Sequence, residues 1–245
     1  MKGLVLQSHR LPLPAPWLRA CLDSVEAWAQ AQGLAYRFID DGLFDLVPND
    51  LMQKCVERRV VATDLARLAW LQRSLDEGVE VVMWCDADLL VVDPERLKVP
   101  DAAYSVGREI WVENQNGRPR VRRHVHNAWL SFRNGNPMLT FYRHAAERMV
   151  RAHRGPMVPQ FIGPKLLTAL HNLIGFPVAE TVNMLSPVVL HDVVAGGGRF
   201  LSAYLDACHE IPAAVNLCGS LIASEAGSDD LVRHAIDRML KTPTW

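Results

Sequence analysis

The sequence has little of what marks a specialised class of protein. Its 245 residues carry only five cysteines (Cys21, Cys55, Cys85, Cys208, Cys218), an odd number with no C-x-x-C pair. A disulfide framework or a zinc cluster is therefore not expected, and packing as small apolar residues accounts for them. No charge of one sign accumulates, since Lys+Arg 26 stands against Asp+Glu 27; this removes the electrostatic case for a nucleic-acid or membrane-surface binder. No apolar run approaches the ~20 residues of a membrane-spanning helix. The opening Met1-Lys2-Gly3-Leu4-Val5-Leu6-Gln7 turns polar too soon for a signal peptide, and the expected location is cytoplasmic. Internal repeats and low-complexity segments are also missing. What is there, 49% hydrophobic and 22% charged, is the composition of a globular domain long enough to bury its own core.

Periodicity gives the fold class. Leu4-Val5-Leu6 reads as a buried strand running into Gln7-Ser8, followed by a proline-rich loop from Leu11 to Pro16. From Trp17, the residues Leu18, Cys21, Leu22, Val25 and Trp28 recur at helical spacing up to Gly33, a C-terminal stop. Leu34 to Ile39 reads as a strand and Asp40-Asp41-Gly42 as a turn, so the opening is a βαβ unit of a mostly parallel α/β sheet. A helix is expected over Asn49–Glu57 and a longer one from Thr63, which would cap it, to Gly78. Val79 to Cys85 is continuously apolar, as a strand covered on both faces is. Further on, strands are expected near Ala102–Val106, His126–Phe132 and Ala213–Leu217, a turn at Glu113–Gly117, and helices over Met138–His153, in the latter part of Gln160–Asn172, and over Asp229–Leu240, with Gly196-Gly197-Gly198 as a flexible link.

The chemistry centres on Asp86-Ala87-Asp88, which closes the apolar strand. Carboxylates two apart on an extended chain project to the same side unless the strand has already turned. Two like charges at the end of a buried strand repel and resist desolvation. A solvated turn would relieve them; so would Mg²⁺ or Mn²⁺, which prefers carboxylate oxygen and bridges to phosphates. Strand carboxyl ends are also where α/β sheets bind ligands. Upstream, Asp64 and Arg67 are i,i+3 neighbours, able to pair as a plain surface ion pair or to present a joint polar face.

Taken together, Thr63-Asp64-Leu65-Ala66-Arg67, the glycine-ended turn at Gly78 and Trp84-Cys85-Asp86-Ala87-Asp88 resemble the glycosyltransferases with a DXD sugar-binding region: the capsular-polysaccharide and yeast mannosyltransferase-like group and its toxin relatives. Looser likenesses are His126-Asn127-Ala128-Trp129-Leu130, Phe161-Ile162-Gly163-Pro164-Lys165 and Ala214-Val215-Asn216-Leu217-Cys218-Gly219-Ser220. The resemblance implies a single GT-A-like domain over residues 1–245, with a central mostly parallel sheet flanked by helices. Residues 1–100 would form the nucleotide-sugar-binding half and 101–245 the acceptor side. It implies that Asp88 ligates Mn²⁺ or Mg²⁺, that Asp86 meets the donor ribose and the metal's water shell, and that Asp64 and Arg67 hold hydroxyls of the transferred sugar. Gln7 belongs to the nucleotide-binding strand, and His126 and Asn127 are the candidates for the reaction centre. Asn216 stands where the family often has His, so an amide oxygen, helped by Ser220, is the expected further ligand.

The implied reaction moves a hexose from a nucleotide-diphosphate sugar to a glycan, lipid-linked or small-molecule acceptor. Retention of configuration is expected, because no carboxylate of the second half offers an obvious base; Asp192 is the one candidate. The cluster Arg118, Arg120, Arg122, Arg123 and His124 reads either as a groove for an anionic acceptor or pyrophosphate, or as a guarded edge strand. Trp17 is a candidate for stacking on a nucleobase. Two rivals stand beside the transferase: a haloacid-dehalogenase-like phosphatase, against which Leu90 stands where Thr or Val is wanted, and an inactive sugar-nucleotide or glycan-binding module.

Overall fold

The computed structural model describes residues 2–222 and 228–241. In chain order its elements are β1 (Gly3–Ser8), α1 (Leu18–Ala31), β2 (Ala35–Ile39), a 3-10 helix (Asp41–Leu46), α2 (Asn49–Lys54), α3 (Arg59–Asp76), β3 (Val81–Cys85) and β4 (Leu89–Val91). These are followed by β5 (Tyr104–Gln115), β6 (Arg118–Arg133), α4 (Pro137–Ala152), α5 (Pro164–Ile174), β7 (Val178–Ala179), β8 (Val182–Met184), α6 (Pro187–Ala195), α7 (Arg199–Ala207), β9 (Ala214–Asn216), α8 (Gly219–Ile222) and α9 (Ser228–Lys241).

The α/β architecture expected from the pattern is present. A six-stranded central sheet has the order β2-β1-β3-β6-β5-β7, and β4-β9-β8 form a second, smaller sheet. The β2–β1, β1–β3 and β5–β7 pairings are parallel; β3–β6 and β5–β6 are antiparallel. Successive residues of a strand point to opposite faces, and two clusters follow from that. Leu4, Leu6, Val82 and Trp84 pack with Leu68 and Leu71 of α3 and Tyr142 of α4. Val5, Met83 and Cys85 pack on the other side with Val25 and Trp28 of α1 and with Trp129. Leu68 and Leu71 are fully buried, each contributing about 1.5–3 kcal/mol of burial.

Several boundaries differ from the expectation for identifiable reasons. Helix α3 begins at Arg59, so Thr63 is not its cap; it sits in the second turn, its hydroxyl donating to the Arg59 carbonyl at 3.2 Å. Val61 and Ala62 are buried and extend the apolar face backwards, which outweighs the capping signal at Thr63. The expected strands at Ala102–Val106 and His126–Phe132 are the inner ends of one long hairpin, β5–β6, whose outer part carries exposed charges and so hides its period. The hairpin turns at Asn116 and Gly117, both at positive φ (52° and 80°), within the expected Glu113–Gly117 turn. Strands β7 and β8 are too short to leave a pattern. The glycine link is an ordered corner: Gly196 is the left-handed cap of α6 and Gly198 leaves room for the Asp192 carboxylate. Helix α5 leaves Leu173 and Ile174 exposed. No helix among the described residues is long and apolar enough to cross a membrane.

The antiparallel β3–β6 pairing matters for the site. Cys85 pairs with Trp129, and the Asp86 amide donates to the Ala128 carbonyl at 2.8 Å. Residues of β6 preceding Ala128 therefore lie beyond the carboxyl end of β3.

Candidate functional site

The carboxyl ends of β1, β2 and β3 open onto a cleft of about 950 Å³. Ser8, His9 and Arg10 follow β1; Asp40 and Asp41 follow β2; Asp86, Ala87 and Asp88 follow β3. One wall is α3 (Arg59, Val60, Thr63, Arg67) and the other holds Trp17, Gly219, Ser220, Ile222, Asp229 and Val232.

The strand has turned at the two carboxylates: the Leu89 amide donates to the Asp86 carbonyl at 3.0 Å, and the side chains go to different neighbours. Asp86 points to α3, where its Oδ1 lies 3.1 Å from Arg67 and accepts from Trp84 Nε1 at 2.7 Å. Asp88 points to the second sheet, accepting from Asn216 Nδ2 at 2.6 Å and from the Gly219 amide at 2.9 Å.

Arg67 is the hub of the first group. It pairs with Asp86 and with Asp64 (3.5 Å), donates to the Asn127 carbonyl, and lies 5.2 Å from the Trp84 ring centre. Burial opposes its charge, but Asp86 and Asp64 outweigh that and keep it protonated. Asp64 accepts from Asn127 Nδ2 at 2.8 Å. Burial pushes its carboxyl up to about 6, against the pull of Arg67 and Asn127. The chain is close over this pair at Gly163, where an added Cβ would come within 2.7 Å of both Asn127 Nδ2 and Asp64 Oδ2.

Asp88 is likewise raised to about 6, by burial first and by the Asp86 charge second. Asp64 and Asp86 thus share Arg67, Asp88 is held by neutral donors, and Asp64 and Asp88 are both raised above the ordinary range. That deficit of positive charge is what a divalent cation would supply. Among the described residues no group of three or more His, Cys, Asp or Glu is placed to hold a metal, so any ion here would take two carboxylates at most and complete its shell from neutral oxygens, water or a ligand's phosphates. The donor set fits Mg²⁺ or Mn²⁺ on those terms.

The other sequence candidates are distributed as follows. Gln7 lies under the cleft floor, its amide donating to the Asp86 carbonyl at 3.0 Å and accepting from Tyr36. Asn216 turns its amide nitrogen to Asp88, because its oxygen accepts from the Cys218 amide at 2.8 Å; it orients the carboxylate where ligation through oxygen was expected. Ser220 lines the cleft. Asn127 joins the Asp64–Arg67 group, whereas His126 is buried, its ring against Gly107 and its Nδ1 accepting from the Ala128 amide. Burial drives that imidazole down to about 3, so it is neutral. Asp192 is committed to the start of α7, accepting from the Phe200 and Leu201 amides at 2.8 and 3.0 Å. Trp17 lines the cleft beside Gly219, and its Nε1 donates to Asp229 at 2.9 Å.

Sequence reasoning missed His9, Arg10, Asp40, Asp41, Arg59 and the contact made by Gly163. For Asp40 and Asp41 a signal existed: they close a parallel strand just as Asp86 does. For Arg59 none did, since its place depends on where α3 starts.

No family model matches the sequence, and no curated protein matches it. Among solved structures the chain is similar to the crystal structure of a glycosyltransferase involved in the glycosylation of the major capsid of PBCV-1, with 13% identity and a TM-score of 0.49 over 95% of this chain and 100% of that one. It is also similar to the apo-form glycosyltransferase GlyE of Streptococcus pneumoniae (11% identity, TM-score 0.46, 98% and 62% covered). A third likeness is to mannose-1-phosphate geranyltransferase from Thermus thermophilus (14% identity, TM-score 0.30, 72% and 68% covered).

Proposed function

We propose that this chain is a metal-dependent glycosyltransferase that moves a hexose from a nucleotide-diphosphate sugar to an acceptor hydroxyl with retention at the anomeric carbon. The observation that carries the reading is the charge arrangement at the strand ends: Asp86 and Asp88 border the cleft from opposite sides while Arg67 balances only the α3 side. The cleft, about 950 Å³, is of the size that takes a nucleotide-sugar.

Asp86 and Asp88 would hold Mn²⁺ or Mg²⁺, with the Ser220 hydroxyl as a further oxygen and Asn216 steadying Asp88. A cation bound there supplies positive charge against the departing diphosphate. The protein's own part is positional and electrostatic. Arg10 and Arg59 on the cleft wall attract the diphosphate. Asp64, fixed by Arg67 and Asn127, offers an acceptor atom to the sugar's hydroxyls, and Trp17 offers a ring face to the base. In the reaction the bond between the anomeric carbon and the diphosphate oxygen breaks, the acceptor oxygen bonds to the same face, and the acceptor's proton passes to the departing diphosphate oxygen.

The test is thermal stability with UDP, GDP and CDP, each with and without Mn²⁺. A ligand at 100 times its dissociation constant stabilises by about 2.7 kcal/mol, a rise of about 5–10 °C for a chain of this size. A rise that needs one nucleotide and the metal together is the expected result. No rise with any of the three refutes the reading.

A further inference from the structure

Beyond the end of β3, and so at the same end of the sheet as Asp86 and Asp88, the β5–β6 hairpin continues as a two-stranded ribbon. Residues opposite each other in an antiparallel pair share a face. Trp111 stands opposite Arg122, Glu113 opposite Arg120, and Gln115 opposite Arg118. One face therefore carries Arg118, Arg120 and Arg122 in a row with Trp111 beside it. The other face bears Ile110 and Val112, which are buried in the cluster with α6 and α7. Arg118, Arg120 and Arg122 are exposed. Glu113 pairs with Arg122 at 3.0 Å; Arg118 and Arg120 have no ion-pair partner among the described residues.

Charged side chains, lysine above all, and proline guard strand edges; three arginines on alternate residues of one strand form a concentrated guanidinium row on one face. At about 3.3 Å per residue they stand about 6.6 Å apart and span about 13 Å. A single phosphate engages one or two such groups; a row of three matches a chain with repeated negative charge. The tip, Asn114-Gln115-Asn116-Gly117, is polar, with Asn114 accepting from the Gly117 amide at 2.8 Å, and offers no apolar residue for insertion into a bilayer. An aromatic ring beside guanidinium groups suits a sugar ring that carries an anionic substituent.

We infer that the Arg118–Arg120–Arg122 face of the hairpin docks an acidic glycan, with the carboxylates of its sugar rings on the arginines and one sugar ring on Trp111. The anionic group is a carboxylate borne by the sugar ring, which presents two oxygens to a guanidinium while the ring itself meets Trp111.

The experiment titrates the full chain with a galacturonate hexamer, a glycerol-phosphate hexamer, the neutral maltohexaose, and vesicles of phosphatidylcholine and phosphatidylglycerol. The wild type and Arg118→Ser/Arg120→Ser/Arg122→Ser are compared. The galacturonate hexamer is expected to bind, about tenfold or more tighter than maltohexaose, with affinity falling as salt rises. The triple variant is expected to lose about tenfold and Trp111→Ala a smaller factor; binding of the glycerol-phosphate hexamer in place of the galacturonate hexamer overturns the inference, because that chain has no sugar ring for Trp111. Failure of the galacturonate hexamer to bind, or equal binding by the triple variant, overturns the inference. Arginine-dependent binding of vesicles but of neither hexamer also overturns it and makes the face a membrane contact. The nucleotide and Mn²⁺ stability shift, read on the same two proteins, keeps the two readings apart. If it persists in both while the arginines prove irrelevant, only the docking surface fails. If it is missing while the hexamer still binds through the arginines, the donor site fails and the anion-binding face stands.

Discussion

The two sides of the cleft solve the same electrostatic problem differently. On the α3 side, Asp64 and Asp86 are packed around Arg67, with Asn127 and the Gly163 backbone sealing Asp64 from water. On the α8 side, Asp88 receives only neutral donors, the Asn216 amide and the Gly219 N–H. A carboxylate beside a guanidinium has its charge met within the fold; one held by amides keeps most of its field. The first arrangement builds a rigid wall and the second leaves a charge that a ligand can satisfy. In the metal site proposed above, Asp86 would come already partly balanced by Arg67 and Asp88 would bring the less balanced charge.

The sharpest way to break this contrast is Arg67→Met. It leaves Asp64 buried without its cation, and should cost about 3–5 kcal/mol, a fall of about 6–20 °C in thermal midpoint; a fall of less than about 2 °C would mean the α3 side is not held by this charge. Asp88→Asn should instead cause no fall in the midpoint, because it removes a buried charge that folding penalises. It should reduce transfer by about 100-fold or more, roughly 2.7 kcal/mol of transition-state stabilisation, and abolish the Mn²⁺-dependent part of the nucleotide shift. Turnover and shift at the wild-type level would detach Asp88 from the reaction. Gly163→Ala sharpens the comparison from the backbone side. Its methyl group meets Asn127 and Asp64 at 2.7 Å and should cost about 1–3 kcal/mol, with no effect on Mn²⁺ affinity once the protein is folded.

The smallest effect is a pH dependence. Asp88 titrates at about 6 in the fold, above the ordinary aspartate value of about 4. Its ionised form is therefore penalised by folding. The penalty is full above pH 6, fades as pH falls through 6, and is gone below about 4. Without metal, stability should rise on the order of 1 kcal/mol between pH 7 and pH 5 from this group, and saturating Mn²⁺ at pH 7 should remove that rise. Denaturant midpoints at the two pH values, in wild type and Asp88→Asn, measure it; identical slopes in the two proteins would exclude Asp88 as the source.

Legibility from sequence followed the range of the interactions. The βαβ opening, the apolar strand into Asp86 and the helices α1 and α4 are written in local periodicity. Asp64 and Arg67 could be paired from their spacing alone. The partner that defines Asp64, Asn127, is 63 residues away, and Asn216 reaches Asp88 over 128 residues; neither contact leaves a local trace. In the sequence the hairpin beyond Val106 reads as a turn and a charge run because its outer face is solvated, so alternation survives only as arginine against a mix of polar and apolar residues.

The sequence alone determined that an α/β sheet would form and that its strand ends would carry paired acids, because both depend on which side chains recur at periods of two and 3.6. Tertiary structure alone decided what each of those acids meets. The turn at Ala87 sends Asp86 toward a buried guanidinium and Asp88 toward two amides, and a carboxylate's pull on a cation depends on what already neutralises it in a medium of low dielectric.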